Sequence, residues 1–200
     1  MQSRKKARAY TRIDATGQGP VLSTNQQGFQ AQGRCRDASK RVQNNNTVCR
    51  KIRVATLNIG TLTGKPEEVA EMLRRRRIDI CTLQETRWSG EKAYDMERER
   101  GSNGYKLMYF GSTRTRNGVG IAISERFRDA VKEVSRYDDR LMKITIVTEE
   151  RTIHVFSAYA PQAGRSDAEK DAFWKMLDSR TRNVPVDDYL VIAGDLNGHV

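Results

Sequence analysis

Five short strand-like runs follow one another in the middle of the chain, separated by turn residues rather than by helical segments. They are GYKLMYF (104–110), NGVGIAIS (117–124), AVKEVSRY (130–137), RLMKITIVT (140–148) and RTIHVFSAYAP (151–161). The Gly, Asn and charged residues between them are typical of turns and short loops. Parallel neighbours need a connection of about a dozen residues or more, so this spacing predicts antiparallel pairing.

A helix-bearing unit flanks these runs on each side. KIRVATLN (51–58) and IDICTLQE (78–85) are strand-like, and the intervening TGKPEEVAEMLRRRR has a helical apolar stripe, so we expect two parallel strands joined by a helix. SDAEKDAFWKMLDSRTR (166–182) begins with a capping box and is followed by the apolar run DDYLVIAGD. We therefore predict an α/β fold in which two mixed sheets pack face to face with helices outside.

The first quarter of the chain differs from the rest in charge and composition. Residues 1–50 carry 10 Lys and Arg against 2 Asp and Glu, whereas residues 51–200 carry 26 against 23. The segment is rich in Gln, Asn, Gly, Ser and Thr, with too few apolar residues to offset the entropy of ordering it. We expect a disordered basic arm over 1–50 and one domain over 51–200. The arm either holds a polyanion through counterion release or is a solvated tail.

Other features bear on where the chain resides. No stretch approaches the ~20 apolar residues that a membrane-spanning helix needs. The basic start MQSRKKARAY has no apolar segment behind it, so a secretory signal is not expected. Cys35, Cys49 and Cys81 have the spacing of neither a zinc site nor a disulfide framework, and we interpret them as reduced thiols. We therefore expect an intracellular, nuclear protein.

Polar or ionisable residues stand where apolar strand-like runs end. These residues are Asn58, Glu85, Tyr159, Asp195 and Asn197. Sites in layered α/β proteins form at such strand ends, so we expect the side chains to lie together. A carboxylate at the edge of a core strand is costly unless it is compensated. Mg²⁺ would compensate it, because the ion takes oxygen ligands from one or two carboxylates and keeps several waters.

Each of these residues has a chemical interpretation and a structural alternative. Glu85 and Asn58 offer oxygens to a metal ion. Asp195 and Asn197 can orient a water or hold a phosphoryl oxygen, and Tyr159 can donate to a developing charge. Alternatively, these side chains serve structure alone. Asn58 would then cap the turn into the next helix, and Glu85 would form an ion pair with Arg87. Tyr159 would be a core ring, and residues 194–197 would form an ordinary Asx turn.

The chain resembles the endonuclease/exonuclease/phosphatase superfamily. The stretches that carry the resemblance are ATLNIGTLTGKPEEVAEMLRRRRIDICTLQETRWSG, RNGVGIAIS, SAYAPQAG, KDAFWKMLD and GDLNGHV. More narrowly, they are similar to the apurinic-type endonuclease domains of non-LTR retrotransposons, in particular RTE-type elements, and to the craniofacial development protein 2-like proteins derived from them. The resemblance covers nearly all of residues 51–200 and none of the arm.

This resemblance implies a four-layer α/β sandwich that cleaves phosphodiesters with a divalent metal, Mg²⁺ or alternatively Mn²⁺. It implies that Asn58 and Glu85 lie near the metal and that Tyr159 is a site tyrosine. Asp195 and Asn197 match the Asp and Asn of the family's Gly-Asp-x-Asn motif. DNA is then the substrate, and the activity is the nick that primes reverse transcription in a retroelement.

The end of the sequence departs from the family pattern. In the family the chain continues to a second site Asp and a closing Asp-His pair, for which this sequence has no counterpart. We interpret His199 as a loop residue and His154 as a strand position. We therefore expect a domain that is truncated at its C-terminus and cleaves DNA weakly or not at all.

Two alternative functions fit the same sequence. A non-catalytic nucleic-acid-binding remnant would use the basic arm and the segment STRTRNG, in which Arg114, Arg116 and Asn117 are candidate nucleic-acid contacts. A phosphoesterase of the same fold would act on a small phosphate or a lipid headgroup. The stretches ETRW and APQAG favour the retroelement group over that phosphoesterase.

Overall fold

A computed structural model of the chain describes residues 7–13, 51–96, 104–113 and 117–198. Its elements in chain order are β1 (Ala7–Ile13), β2 (Ile52–Asn58), α1 (Pro66–Arg75), β3 (Ile80–Gln84), β4 (Gly90–Asp95), β5 (Tyr105–Gly111), β6 (Val119–Ser124), α2 (Glu125–Arg128), β7 (Val131–Asp138), β8 (Leu141–Val147), β9 (Thr152–Tyr159), α3 (Asp167–Arg182) and β10 (Tyr189–Asp195).

The strands form two mixed sheets. The first has the order β1-β2-β3-β6-β5-β4, and the second has the order β10-β9-β8-β7. Each sheet contains one parallel pair among its described strands, β2 with β3 and β9 with β10. A helix joins the members of each pair, α1 in the first sheet and α3 in the second, because a tight turn cannot connect parallel neighbours.

An apolar core lies between the two sheets, with a helix packed on the far side of each. Ile121 of the first sheet and Val155 of the second are both fully buried in this core. Leu73 of α1 packs in a separate cluster with outward-facing residues of the first sheet. Phe173 and Leu177 of α3 pack in a third cluster with outward-facing residues of the second sheet. The core therefore fixes how the two sheets face each other.

The start of each long helix follows from its sequence. Pro66 occupies the first turn of α1, where its missing N–H is no loss. Ser166 caps α3: its hydroxyl accepts a bond from the Glu169 N–H at 3.3 Å, and the Glu169 carboxylate accepts one from the Ser166 N–H at 3.2 Å. Across the described part of the chain, neither helix is long and apolar enough to cross a membrane, and α2 is a single turn.

The predicted α/β class with two mixed sheets is confirmed. The five closely spaced runs are β5 to β9, and their hairpin neighbours pair antiparallel. Two short elements, β4 and α2, were not predicted from the sequence. The run that becomes β4 is largely exposed and lacks an apolar alternation, so its pairing with β5 is the feature that makes it a strand.

The structure describes one segment of the arm that the sequence predicts to be disordered. Residues 7–13 form β1, which pairs antiparallel with β2 and has an irregular register between Arg8 and Thr11. The physical reason is that β2 otherwise presents an unpaired backbone edge, and backbone pairing there does not require an apolar segment. The rest of residues 1–50, including Cys35 and Cys49, lies outside the described residues.

We predict that Gly194→Ala will destabilise the fold and disturb the position of Asp195. Gly194 lies opposite Ala158 in the β9–β10 pair, and a Cβ at Gly194 would lie 1.8 Å from the Ala158 carbonyl oxygen. Overpacking of this kind costs about 1–3 kcal/mol or more, which urea unfolding would measure. Gly164→Ala is the matched control, because a Cβ there meets no atom within 4 Å. Equal stability of the two variants would contradict the register of β10.

Candidate active site

Side chains from both sheets meet at one edge of the molecule. The parallel pair β2 and β3 ends there, and so does the parallel pair β9 and β10. Asn58 of β2 donates hydrogen bonds from Nδ2 to Glu85 Oε1 at 2.9 Å and to Asp195 Oδ2 at 3.0 Å. Tyr159 of β9 donates from its hydroxyl to Glu85 Oε1 at 3.0 Å. The structure thus brings four of the predicted site residues into direct contact.

Three of these residues continue the core-facing side of their strands. Alternate residues of a strand point to the same face, so a residue four positions after a core residue faces the same space. The pairs of core residue and site residue are Val54 and Asn58 in β2, Val155 and Tyr159 in β9, and Val191 and Asp195 in β10.

Glu85 reaches the site through a kink in the backbone. The preceding residue, Gln84, faces the second sheet, so an extended strand would point Glu85 to the opposite side. Instead, Glu85 has a φ of 56°, in the left-handed region. That region is unfavourable by roughly 1–2 kcal/mol for a residue other than glycine. The kink turns the carboxylate toward Tyr159, and strained residues of this kind concentrate at functional sites.

The Asn58 amide is the link between the two carboxylates. Its two N–H groups serve Glu85 and Asp195, and its Oδ1 accepts a bond from the Gly60 N–H at 3.2 Å. An amide has two N–H donors, so both donors of this side chain are used. Two like charges are therefore held within 3.0 Å of one nitrogen atom.

Tyr159 is a neutral hydrogen-bond donor in this arrangement. Burial, the negative charge of Glu85 and the hydrogen bond to Glu85 together raise the pKa of its phenol to about 12. The Arg140 guanidinium lies over the ring, 5.0 Å from its centroid, and donates to the Tyr159 carbonyl oxygen at 3.3 Å. This contact opposes the rise in pKa and fixes the ring.

Asp195 and Asn197 form a turn that is tied to the end of β9. The Asn197 backbone N–H donates to Asp195 Oδ1 at 3.1 Å, and Asn197 Nδ2 donates to the Ala160 carbonyl oxygen at 2.6 Å. Asn197 has a φ of 45°, which asparagine tolerates better than most residues. The backbone bond to Asp195 makes this segment an Asx turn, as the structural alternative predicts. Among the described residues, the side-chain amide of Asn197 uses one of its two hydrogens.

The donors at this edge fit a hard divalent cation. Within the described residues no group of three or more His, Cys, Asp or Glu is arranged to hold a metal ion. Mg²⁺ needs less than this, because it is commonly bound through one or two carboxylates and several waters. Glu85 and Asp195 supply that number of carboxylates from two different sheets. Asn58 turns its nitrogen, not its oxygen, toward them, so its role as an oxygen ligand stays a prediction.

The remaining predicted residues lie elsewhere or outside the described residues. Arg114, Arg116 and His199 belong to segments that the structure does not describe. Asn117 donates from Nδ2 to Asp139 Oδ2 at 3.2 Å, and its contact with nucleic acid stays a prediction. His154 is a strand residue of β9, as predicted, and its Nε2 lies 2.9 Å from a carboxylate oxygen of Asp188.

Sequence reasoning missed three residues that support the site. Arg140 stacks on Tyr159 but stands in a turn, where no pattern distinguishes it. Gln84 and Ser157 are fully buried polar residues inside the runs ICTLQ and TIHVFSAY, and a polar residue in an apolar run is a signal that could have found them.

The proposed ion pair of Glu85 with Arg87 also exists, at 3.4 Å, but Arg87 is exposed and such pairs contribute little to stability.

Comparison with known proteins assigns the chain to a family. The sequence profile of the endonuclease/exonuclease/phosphatase family matches residues 55–199, a range that contains every site residue described above. The chain belongs to this family. Among curated proteins, craniofacial development protein 2 of Bos taurus is 27% identical over 149 residues, and that of Tragulus javanicus is 26% identical over 149 residues. The match covers 74% of this chain and about a quarter of each relative, 24% and 25%.

Solved structures of the family share the fold at low sequence identity. TDP2 from Caenorhabditis elegans is 17% identical with a TM-score of 0.55, over 74% of this chain and 48% of that one. The APE2 catalytic domain of Xenopus laevis is 18% identical with a TM-score of 0.51, over 72% of this chain and 58% of that one. These likenesses show that the two mixed sheets are the family fold.

We predict that Tyr159 stays protonated to about pH 12 in the folded protein. An acid with a raised folded pKa favours its neutral form, so its contribution to stability is complete below the ordinary tyrosine pKa and is lost between about pH 10 and 12. NMR of tyrosines labelled at Cζ, with Tyr159→Phe to assign the signal, measures this titration. Ionisation of Tyr159 at the ordinary tyrosine pKa would contradict the buried contact with Glu85.

Proposed function

We propose that the chain is a divalent-metal-dependent endonuclease domain that cleaves phosphodiester bonds in DNA, with Mg²⁺ as the ion. One observation carries the proposal: a single amide, that of Asn58, holds carboxylates from two sheets together beside a protonated tyrosine. A purely structural amide has no need of two converging negative charges, which repel each other unless a cation or proton compensates them. Asn58, Glu85 and Asp195 are only partly buried, so a substrate can approach them.

The residues of the site have distinct roles in this proposal. Glu85 and Asp195 hold the ion, and Asn58 keeps both carboxylates in place. The bound ion supplies positive charge to a phosphoryl oxygen. The Tyr159 phenol keeps its proton because its pKa is raised, and it turns its one O–H from Glu85 toward the charge that develops on the phosphate. The second amide hydrogen of Asn197 is another donor for the same charge.

A retroelement origin is the more specific part of the proposal. The similarity to craniofacial development protein 2 and the stretches ETRW and APQAG support it. We propose that the nick in DNA serves to prime reverse transcription, that the domain is a four-layer sandwich, and that the protein works in the nucleus, where its substrate is. Residues 1–50 carry an excess of positive charge that would add sequence-independent affinity for DNA.

A non-catalytic nucleic-acid-binding protein is the second candidate. Among the described residues the one histidine is His154, near the start of β9, whereas Tyr159 ends that strand. Five residues of strand correspond to about 17 Å, so no described imidazole reaches the site. A chain that binds DNA by charge and lacks an imidazole in its site would bind without cutting.

We predict that the chain nicks supercoiled plasmid slowly in Mg²⁺ and not at all in EDTA. Glu85→Gln and Asp195→Asn should each lower the rate by about a hundredfold or more, because each removes charge that the ion or the transition state requires. Glu91→Gln is the matched control: Glu91 lies on exposed β4, where its carboxylate pairs with Arg136. DNA binding that falls with salt, with no nicking by any variant, would favour the binding protein over the endonuclease.

A further inference from the structure

A buried hydrogen-bond network lies directly beneath the site, between the two sheets. Gln84 of β3 donates from Nε2 to Ser157 Oγ of β9 at 3.3 Å, and Ser157 Oγ donates to the Leu83 carbonyl oxygen at 3.2 Å. Thr56 of β2 donates from Oγ1 to Gln84 Oε1 at 3.0 Å. Gln84 and Ser157 are both 0% exposed, so neither can touch DNA or an ion.

The two ends of this hydrogen-bond network adjoin residues of the site. Gln84 directly precedes Glu85, and Ser157 lies two residues before Tyr159 on the same face of β9. Glu85 and Tyr159 come from different sheets, and their contact of 3.0 Å exists only when the two sheets have the correct offset. The buried network therefore connects the same two sheets as the site does, one layer of side chains deeper.

Apolar packing alone would leave that offset loosely defined. Burial of apolar surface is not directional, whereas a hydrogen bond weakens steeply when its distance or angle changes. A buried amide or hydroxyl without a partner is costly, by roughly 1–3 kcal/mol. The offset that satisfies Gln84 and Ser157 is therefore favoured over neighbouring offsets with the same apolar contacts.

We propose that Gln84 and Ser157 form a latch between the sheets that positions Glu85 against Tyr159. Both are positioning residues: they act on the site through the backbone of β3 and β9. The latch deepens the proposed endonuclease function, on which the catalytic part of its test rests. The geometric part of the test stands without that function, because the contact between Glu85 and Tyr159 can be measured without DNA.

Thr82 provides a matched control for this proposal. It lies two residues before Gln84, on the same face of β3, and is also fully buried. Its hydroxyl makes no hydrogen bond to any described residue. Thr82→Val therefore removes a buried polar atom from the same strand without removing a link between the sheets.

The test compares the double variant Gln84→Met/Ser157→Ala, which removes both partners with little change in packing, with Thr82→Val and the wild type. We expect the double variant to lower kcat for Mg²⁺-dependent nicking by about tenfold or more, with KM for DNA within about twofold, because misplacement of the reacting groups affects the chemical step. We also expect the distance between the Tyr159 hydroxyl and Glu85 Oε1, 3.0 Å in the wild type, to lengthen beyond hydrogen-bond range in a crystal structure of the double variant. Thr82→Val should change neither quantity.

Two results would overturn the latch: an unchanged distance between Tyr159 and Glu85 in the double variant, or equal changes in Thr82→Val. If the double variant does not fold, Ser157→Ala alone breaks the link and leaves Gln84 in place, and the same comparison applies. If the wild type does not nick DNA, the proposed function fails, and the distance between Tyr159 and Glu85 still decides whether the latch exists.

Discussion

The Asn58 amide is the interaction on which the candidate site depends. Its two N–H groups join Glu85, at the end of the first sheet, to Asp195, at the end of the second. Hydrogen bonds to charged groups are stronger than those between neutral groups, and here they hold together two carboxylates that would otherwise repel. The same bonds tie the two sheets at their edge, so the geometry of the site and the arrangement of the sheets are one constraint.

The space between the sheets changes in character along the strands. Far from the site it is filled by apolar residues such as Ile80 and Val155, then come the buried polar residues Gln84 and Ser157, and finally the ionisable site. This order places directional bonds next to the groups that need accurate placement. The apolar part supplies stability, while the polar layer favours one offset of the sheets over others.

The sequence predicted most of the fold, because its strands and helices follow simple patterns of apolar residues and turns. It also predicted that Asn58, Glu85, Tyr159 and Asp195 would meet, since all stand at strand ends. It did not reveal β1, whose pairing depends on a free backbone edge rather than on composition. Nor could it show that Glu85 needs a left-handed kink to face the site, because strand alternation alone points that residue the other way.

The free energy of unfolding of Asn58→Asp, measured in EDTA and in saturating Mg²⁺, tests the paired-carboxylate site most directly. Without metal, a third carboxylate replaces two donors, and we expect a loss of about 2–3 kcal/mol. In Mg²⁺ the variant should regain the lost stability. Its free energy of unfolding should rise by more than that of the wild type, because the ion binds the folded site. Asn183→Asp, at the exposed end of α3, is the control. A loss no larger than that of the control, with no response to Mg²⁺, would contradict a paired-carboxylate site held by Asn58.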